Sequence, residues 1–138
     1  MQEIPKVLIL DMDEELISTK TKLLEEDGIA VISSSDVRET LEKLEEINPH
    51  LIILNTEVPM INGELPLTLF RRMAHVLILV IGYREELVYM LELGADRFIS
   101  KPLDMAEFIA IVRNLLHRYS DDPDKGNSID NIINHVKN

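Results

Sequence analysis

Three runs of uninterrupted aliphatic residues decide most of what this chain can fold into: Lys6-Val-Leu-Ile-Leu10, Leu51-Ile-Ile-Leu54 and Val76-Leu-Ile-Leu-Val80. A strand with one wet face alternates polar and apolar residues. These runs do not alternate, so both of their faces must be covered, as in a parallel sheet sandwiched between helices. Two shorter runs, Ala30-Val-Ile-Ser33 and Arg97-Phe-Ile-Ser100, bring the predicted strands to five.

Helical spacing fills the intervals. Residues Glu15 to Glu26 place Leu16, Ile17, Lys20, Leu23 and Leu24 on one stripe, and Val37 to Ile47 does the same with Val37, Leu41, Leu44 and Ile47. Further helices are predicted at about Gly63 to Met73, at Glu85 to Leu93, and at Met105 to Tyr119, where Phe108, Ile109, Val112, Leu115 and Leu116 share a face. Asp36 and Asp104 stand where N-caps are wanted, and Gly28 and Gly94 where helices should stop. The order is (βα)5, and its right-handed crossovers give an α/β, doubly wound, five-stranded parallel sheet. The expected domain spans 1–119. Residues 120–138 read as a polar linker followed by a short amphipathic segment, with Ile129, Ile132, Ile133 and Val136 on one stripe behind Ser128. That segment is either a loose tail or a docking contact.

The 138 residues suit one domain with a sizeable core. There is no cysteine, so neither disulfides nor thiolate-bound metal hold it together, and a cytoplasmic location is expected. No apolar stretch approaches membrane-spanning length, and no basic leader opens the chain. A formal net charge of -11 disfavours nonspecific binding to nucleic acid, which depends on clustered cations releasing counterions. His50, His75, His117 and His135 are scattered without ligand-like spacing, so no metal site is expected of them; solvated or edge positions suffice.

In an open α/β sheet, ligands sit beyond the carboxyl ends of the strands, near the point where strand order reverses. That rule selects Asp11, Asn55, Ile81 and Lys101, which follow the first, third, fourth and fifth runs, with Met12, Asp13, Thr56 and Glu57 beside them. Three segments in this order resemble one family. Lys6-Val-Leu-Ile-Leu-Asp-Met-Asp-Glu-Glu-Leu16, Pro49-His-Leu-Ile-Ile-Leu-Asn-Thr-Glu-Val-Pro-Met-Ile-Asn-Gly63 and Gly94-Ala-Asp-Arg-Phe-Ile-Ser-Lys-Pro102 are similar to the receiver domain of bacterial response regulators, the CheY-like, flavodoxin-like fold. The resemblance covers residues 4–119.

What the resemblance implies is a site with five functional positions, three of them altered. A working receiver carries two acids after its first strand, an acceptor Asp after the third, a hydroxyl after the fourth and Lys after the fifth. Here the first acid is Asp11 and the lysine is Lys101, but the second acid is Met12, the acceptor Asn55 and the hydroxyl Ile81. An acyl phosphate forms by attack of a carboxylate oxygen on phosphorus, and a carboxamide is no such nucleophile. Mg²⁺ asks for oxygen ligands, usually including one or two carboxylates, so Asp11 alone offers weak binding at most. No cofactor and no catalysis are expected.

The neighbouring acids have plainer roles open to them. Asp13 suits the cap of the first helix. Glu57 could reach the crevice or face solvent, and Lys101 is expected to pair with Asp11. Phe98 takes the family's aromatic switch position, where core packing suffices. Tyr89, Phe98 and Phe108 are the candidates for an interaction face. Arg71 and Arg72 end the third predicted helix, where cations suit the dipole, and the acidic run Glu39, Glu42, Glu45 and Glu46 reads as a solvated helix face. The stretch from Ile81 to Gly94 is short for the family, so a trimmed loop is expected. The expected function is a phosphorylation-independent signalling module that binds protein partners, a histidine kinase or an output protein, with a homodimer allowed. The alternatives are a phosphorelay receiver that uses Asp13 or Glu57, and the front part of a longer transcriptional regulator.

Overall fold

A computed structural model describes residues 4–120, and the amphipathic segment expected near Ser128 lies outside them. Five parallel strands form one sheet in the order β2-β1-β3-β4-β5. They are β1 (Lys6–Leu10), β2 (Ala30–Ser34), β3 (Leu51–Asn55), β4 (Leu77–Gly82) and β5 (Arg97–Ser100). The three aliphatic runs are the three central strands. Their residues are almost wholly buried, whereas the edge strand β2 is largely exposed. Continuous hydrophobicity is what burial on both faces requires.

The helices are α1 (Glu14–Glu26), α2 (Val37–Glu42), α3 (Leu44–Ile47), α4 (Pro66–Met73), α5 (Leu87–Glu92) and α6 (Met105–Ser120), with a 3-10 turn at Arg84–Glu86. One core layer joins Val7, Ile9, Ile53, Ile81 and Ile99 to Leu24 of α1 and to Phe108, Val112 and Leu115 of α6. The other joins Leu8, Ile52, Ile78 and Val80 to Val37, Leu44, Phe70 and Met90 on α2 to α5. Alternate residues of β1, β3, β4 and β5 thus supply opposite layers.

The predicted caps form. Asp13 Oδ1 accepts the N–H groups of Glu15 and Leu16 at 3.0 and 3.2 Å, Asp36 accepts from Glu39, and Asp104 accepts from Ala106 and Glu107. Asp13→Ala is expected to cost about 1 kcal/mol in urea unfolding, the usual worth of an exposed N-cap. Gly28 and Gly94 take the positive φ that a left-handed helix stop needs.

Three helix boundaries depart from the sequence reading. The helix expected from Gly63 begins at Pro66, because Asn62 and Gly63 both take positive φ in a tight turn where Ile61 and Glu64 exchange backbone hydrogen bonds. The helix expected over Val37 to Ile47 is divided at Lys43, whose N–H is shared between the carbonyls of Glu39 and Thr40 at 3.2 Å each. The helix expected from Glu85 opens as the 3-10 turn, and a single residue, Tyr83, separates β4 from it.

Arg71 does more than favour a helix dipole. Its guanidinium donates to the carbonyls of Gly94 and Val76 and to Asp96 Oδ2, which also accepts the Ile78 N–H. That tie fixes α4 to the amino ends of β4 and β5. His50 is buried, with Nδ1 accepting the Lys6 N–H at 2.9 Å, so it is a structural contact and not a solvated residue.

Candidate functional site

The chain reverses direction across the sheet between β1 and β3, so Asp11 and Asn55 emerge side by side at the crevice. Asp11 is 1% exposed and Asn55 3%. Asn55 Nδ2 donates to Asp11 Oδ1 at 3.3 Å, while Asn55 Oδ1 accepts the Glu57 N–H at 2.8 Å and Lys101 Nζ at 3.2 Å. The carboxamide therefore turns its donor toward an anion and its acceptor toward a cation. Ile81 stands opposite Asn55 in the β3–β4 register and is 1% exposed, so an aliphatic wall adjoins the amide. Met12 is 46% exposed, and what it gives Asp11 is its backbone N–H.

The ion pairing differs from the expectation. Lys101 does not bond Asp11. Its ammonium lies 3.1 Å from Glu57 Oε1 and 4.8 Å from the centre of the Tyr83 ring, over which it sits as a cation on a π face. The partner of Asp11 is Lys20, whose Nζ reaches from α1 to within 2.7 Å of Oδ2, with both side chains almost wholly buried. Asp11 needs a counter-ion in an apolar wall, and α1 lies on that face whereas Lys101 is drawn outward by Glu57. Burial pushes the Asp11 carboxyl up, but hydrogen bonds from Lys20, the Asp13 N–H and Asn55 outweigh it and hold the group below its ordinary value. Glu57 is likewise held low, by Lys101 and then Tyr83.

Tyr83, which sequence reading passed over, closes the mouth: its hydroxyl donates to Glu57 Oε1 at 3.0 Å. Below it, Glu86 Oε1 accepts both the Tyr83 N–H and the Thr56 hydroxyl at 2.8 Å. Only glycine fits beneath this link, because a Cβ on Gly82 would lie 2.7 Å from Glu86 Oε1 and 2.8 Å from the Thr56 side chain. The signal available in the sequence was an aromatic placed directly after an apolar strand and a glycine. For Lys20 it was a lysine on the apolar stripe of α1.

The candidate interaction residues separate. Tyr89 is 55% exposed on α5, flanked by exposed Val88 and Leu91. Phe98 is half-buried against the α2–α5 layer. Phe108 is fully buried in the other layer, so it cannot belong to an interaction face; the periodicity that put it on the apolar face of α6 was the better guide.

A family model described as "Response regulator receiver domain" matches residues 7–113. The chain belongs to the response regulator receiver family. Over 118 residues this receiver is 32% identical to the transcriptional regulatory protein PrrA of Mycobacterium tuberculosis, an alignment covering 83% of this chain and 51% of the relative. It is 34% identical to the alkaline phosphatase synthesis transcriptional regulatory protein PhoP of Bacillus subtilis, covering 82% and 49%. The receiver thus spans about half the length of the curated relatives it matches. Among solved structures it is similar to a Francisella response regulator receiver domain, with TM-score 0.74 and 25% identity over 83% of this chain and 98% of that one. The amino-terminal domain of the nisin resistance regulator NsrR gives 0.71 and 26% over 83% and 99%.

The residues present do not fit the divalent ion that a working receiver would hold. One Asp11 oxygen is taken by the Lys20 ammonium, and the other accepts from Met12, Asp13 and Asn55. Among the described residues no group of three or more His, Cys, Asp or Glu is placed to hold a metal. None of their helices is long and apolar enough to cross a membrane.

Proposed function

We propose that this receiver is a phosphorylation-independent signalling domain that meets protein partners through a fixed surface. The observation that carries the reading is the setting of Asn55. Its amide donates to Asp11 on one side and accepts from Lys101 on the other. A carboxylate at position 55 would face the Asp11 carboxylate across the contact that Asn55 Nδ2 now fills, a like-charge opposition the amide avoids. The side chain is chosen for the network around it, and it is no nucleophile. Asp13 is committed to capping α1 and Glu57 to Lys101 and Tyr83, so neither adjacent acid is a ready substitute. The exposed Val88, Tyr89 and Leu91 on α5 are the surface offered to a partner.

Treatment with acetyl phosphate tests the reading. Intact-mass spectrometry is expected to show the unmodified chain. A gain of one phosphoryl group that is lost in Asp11→Ala, Asp13→Ala or Glu57→Ala would replace this reading with a phosphorelay through an atypical acid. A second reading concerns the larger protein: relatives named as transcriptional regulators are twice as long as the matched region. This receiver would then be the front part of such a regulator, which the full reading frame decides.

A further inference from the structure

We infer that the Lys20 ammonium is a built-in replacement for the crevice's divalent cation, so that the site is closed to metal ions by its own side chain. The inference concerns the same crevice as the phosphorylation-independent reading, but it rests on the Lys20 ion pair, with Asn55 entering only as one of the donors to Asp11.

Three observations carry it. The ammonium lies 2.7 Å from Asp11 Oδ2, a charge-assisted bond, and both side chains are almost wholly buried. Lys20 comes from the stripe of α1 that also carries the buried Leu24, where burial of a lysine is costly unless an anion meets it. Asp11 has no oxygen left over, since Oδ1 accepts three N–H donors at 2.7, 3.1 and 3.3 Å. A second cation entering this crevice would meet the ammonium at close range in a water-poor setting, where like-charge repulsion is strongest. Lys101 is paired with Glu57 at the mouth as Lys20 is with Asp11, so each of these two carboxylates already has an ammonium as its counter-ion.

The experiment compares three proteins, with Asp11→Asn introduced into the first two as a control, by Mn²⁺ titration and by thermal unfolding in Mg²⁺ against EDTA, with no phosphodonor present. Wild type is expected to show no Asp11-dependent Mn²⁺ binding and the same unfolding midpoint in both buffers. Met12→Asp, which adds a carboxylate beside Asp11 at an exposed position, is expected to behave the same way while Lys20 remains. Met12→Asp/Lys20→Met is expected to bind Mn²⁺ at least about tenfold more tightly than Met12→Asp and to unfold later in Mg²⁺, because the repulsion has gone. Binding by wild type or by Met12→Asp that Asp11→Asn removes would overturn the inference. So would a folded double variant that binds no better than Met12→Asp. The first two proteins retain the Lys20 to Asp11 pair and remain decisive whatever the fate of the third. A phosphoryl adduct in the acetyl phosphate experiment would defeat the earlier reading alone; Asp11-dependent metal binding by a protein that retains Lys20 would defeat this one alone.

Discussion

Lys20→Met is expected to lower the unfolding free energy by about 3–5 kcal/mol, because it leaves the Asp11 carboxylate buried without its partner. Methionine keeps the length of the side chain, so little of the loss should come from packing. Asp11→Asn/Lys20→Met removes both charges and is expected to recover most of the stability, as replacement of buried pairs by neutral groups commonly does. Urea unfolding of wild type, the two single variants and the double variant closes a cycle that isolates the pair. A Lys20→Met protein within about 0.5 kcal/mol of wild type would show that Asp11 does not depend on Lys20 as its buried counter-ion.

The same cycle has a pH signature. In wild type the folded-state value of Asp11 lies below the ordinary 3.8. Its contribution is therefore complete above that ordinary value and is lost as pH falls through the lowered one. In Lys20→Met the lowering influence of the ammonium is gone and the carboxyl moves up from its wild-type position, so the variant's deficit is largest at neutral pH and shrinks on acidification. A deficit that grows toward low pH would contradict the assignment.

Phe108→Ala is expected to cost about 3–5 kcal/mol, the range for removing a large buried aromatic. The ring is fully buried in the layer that holds Ile81, Ile99 and Val112, in the first turns of α6, so its removal opens a cavity where helix and sheet meet. Tyr89→Ala, on the exposed surface of α5, should stay within about 0.5 kcal/mol. Thermal or urea unfolding separates the two. Equal effects would mean that the division between core and surface aromatics is misplaced.

Much of this architecture could be read from patterns that obey local rules. The aliphatic runs marked the three central strands because burial on both faces leaves no room for alternation, and Asp13, Asp36 and Asp104 marked helix starts because a short acceptor side chain satisfies orphan N–H groups. The strand ends then brought Asp11, Asn55 and Lys101 to one crevice. What did not emerge was which charge would answer which. Pairing is decided by side-chain reach and by the face each element presents, so a lysine nine positions along on α1 took Asp11, while Lys101 turned to Glu57 and Tyr83. The start of α4 was misplaced for a similar reason. The Asn62 and Gly63 turn is stabilised by a backbone exchange between Ile61 and Glu64, which a hydrophobic period does not register.

The single-residue connection at Tyr83 bears on the thermodynamics of association. A long loop before α5 would sample many conformations and lose that freedom when a partner arrived. Here Glu86 holds both Tyr83 and Thr56, and Tyr83 holds Glu57, so the entry to α5 is ordered beforehand. A partner landing on Val88, Tyr89 and Leu91 would meet a surface whose ordering entropy was already spent in folding, and contact area there converts to affinity with less loss.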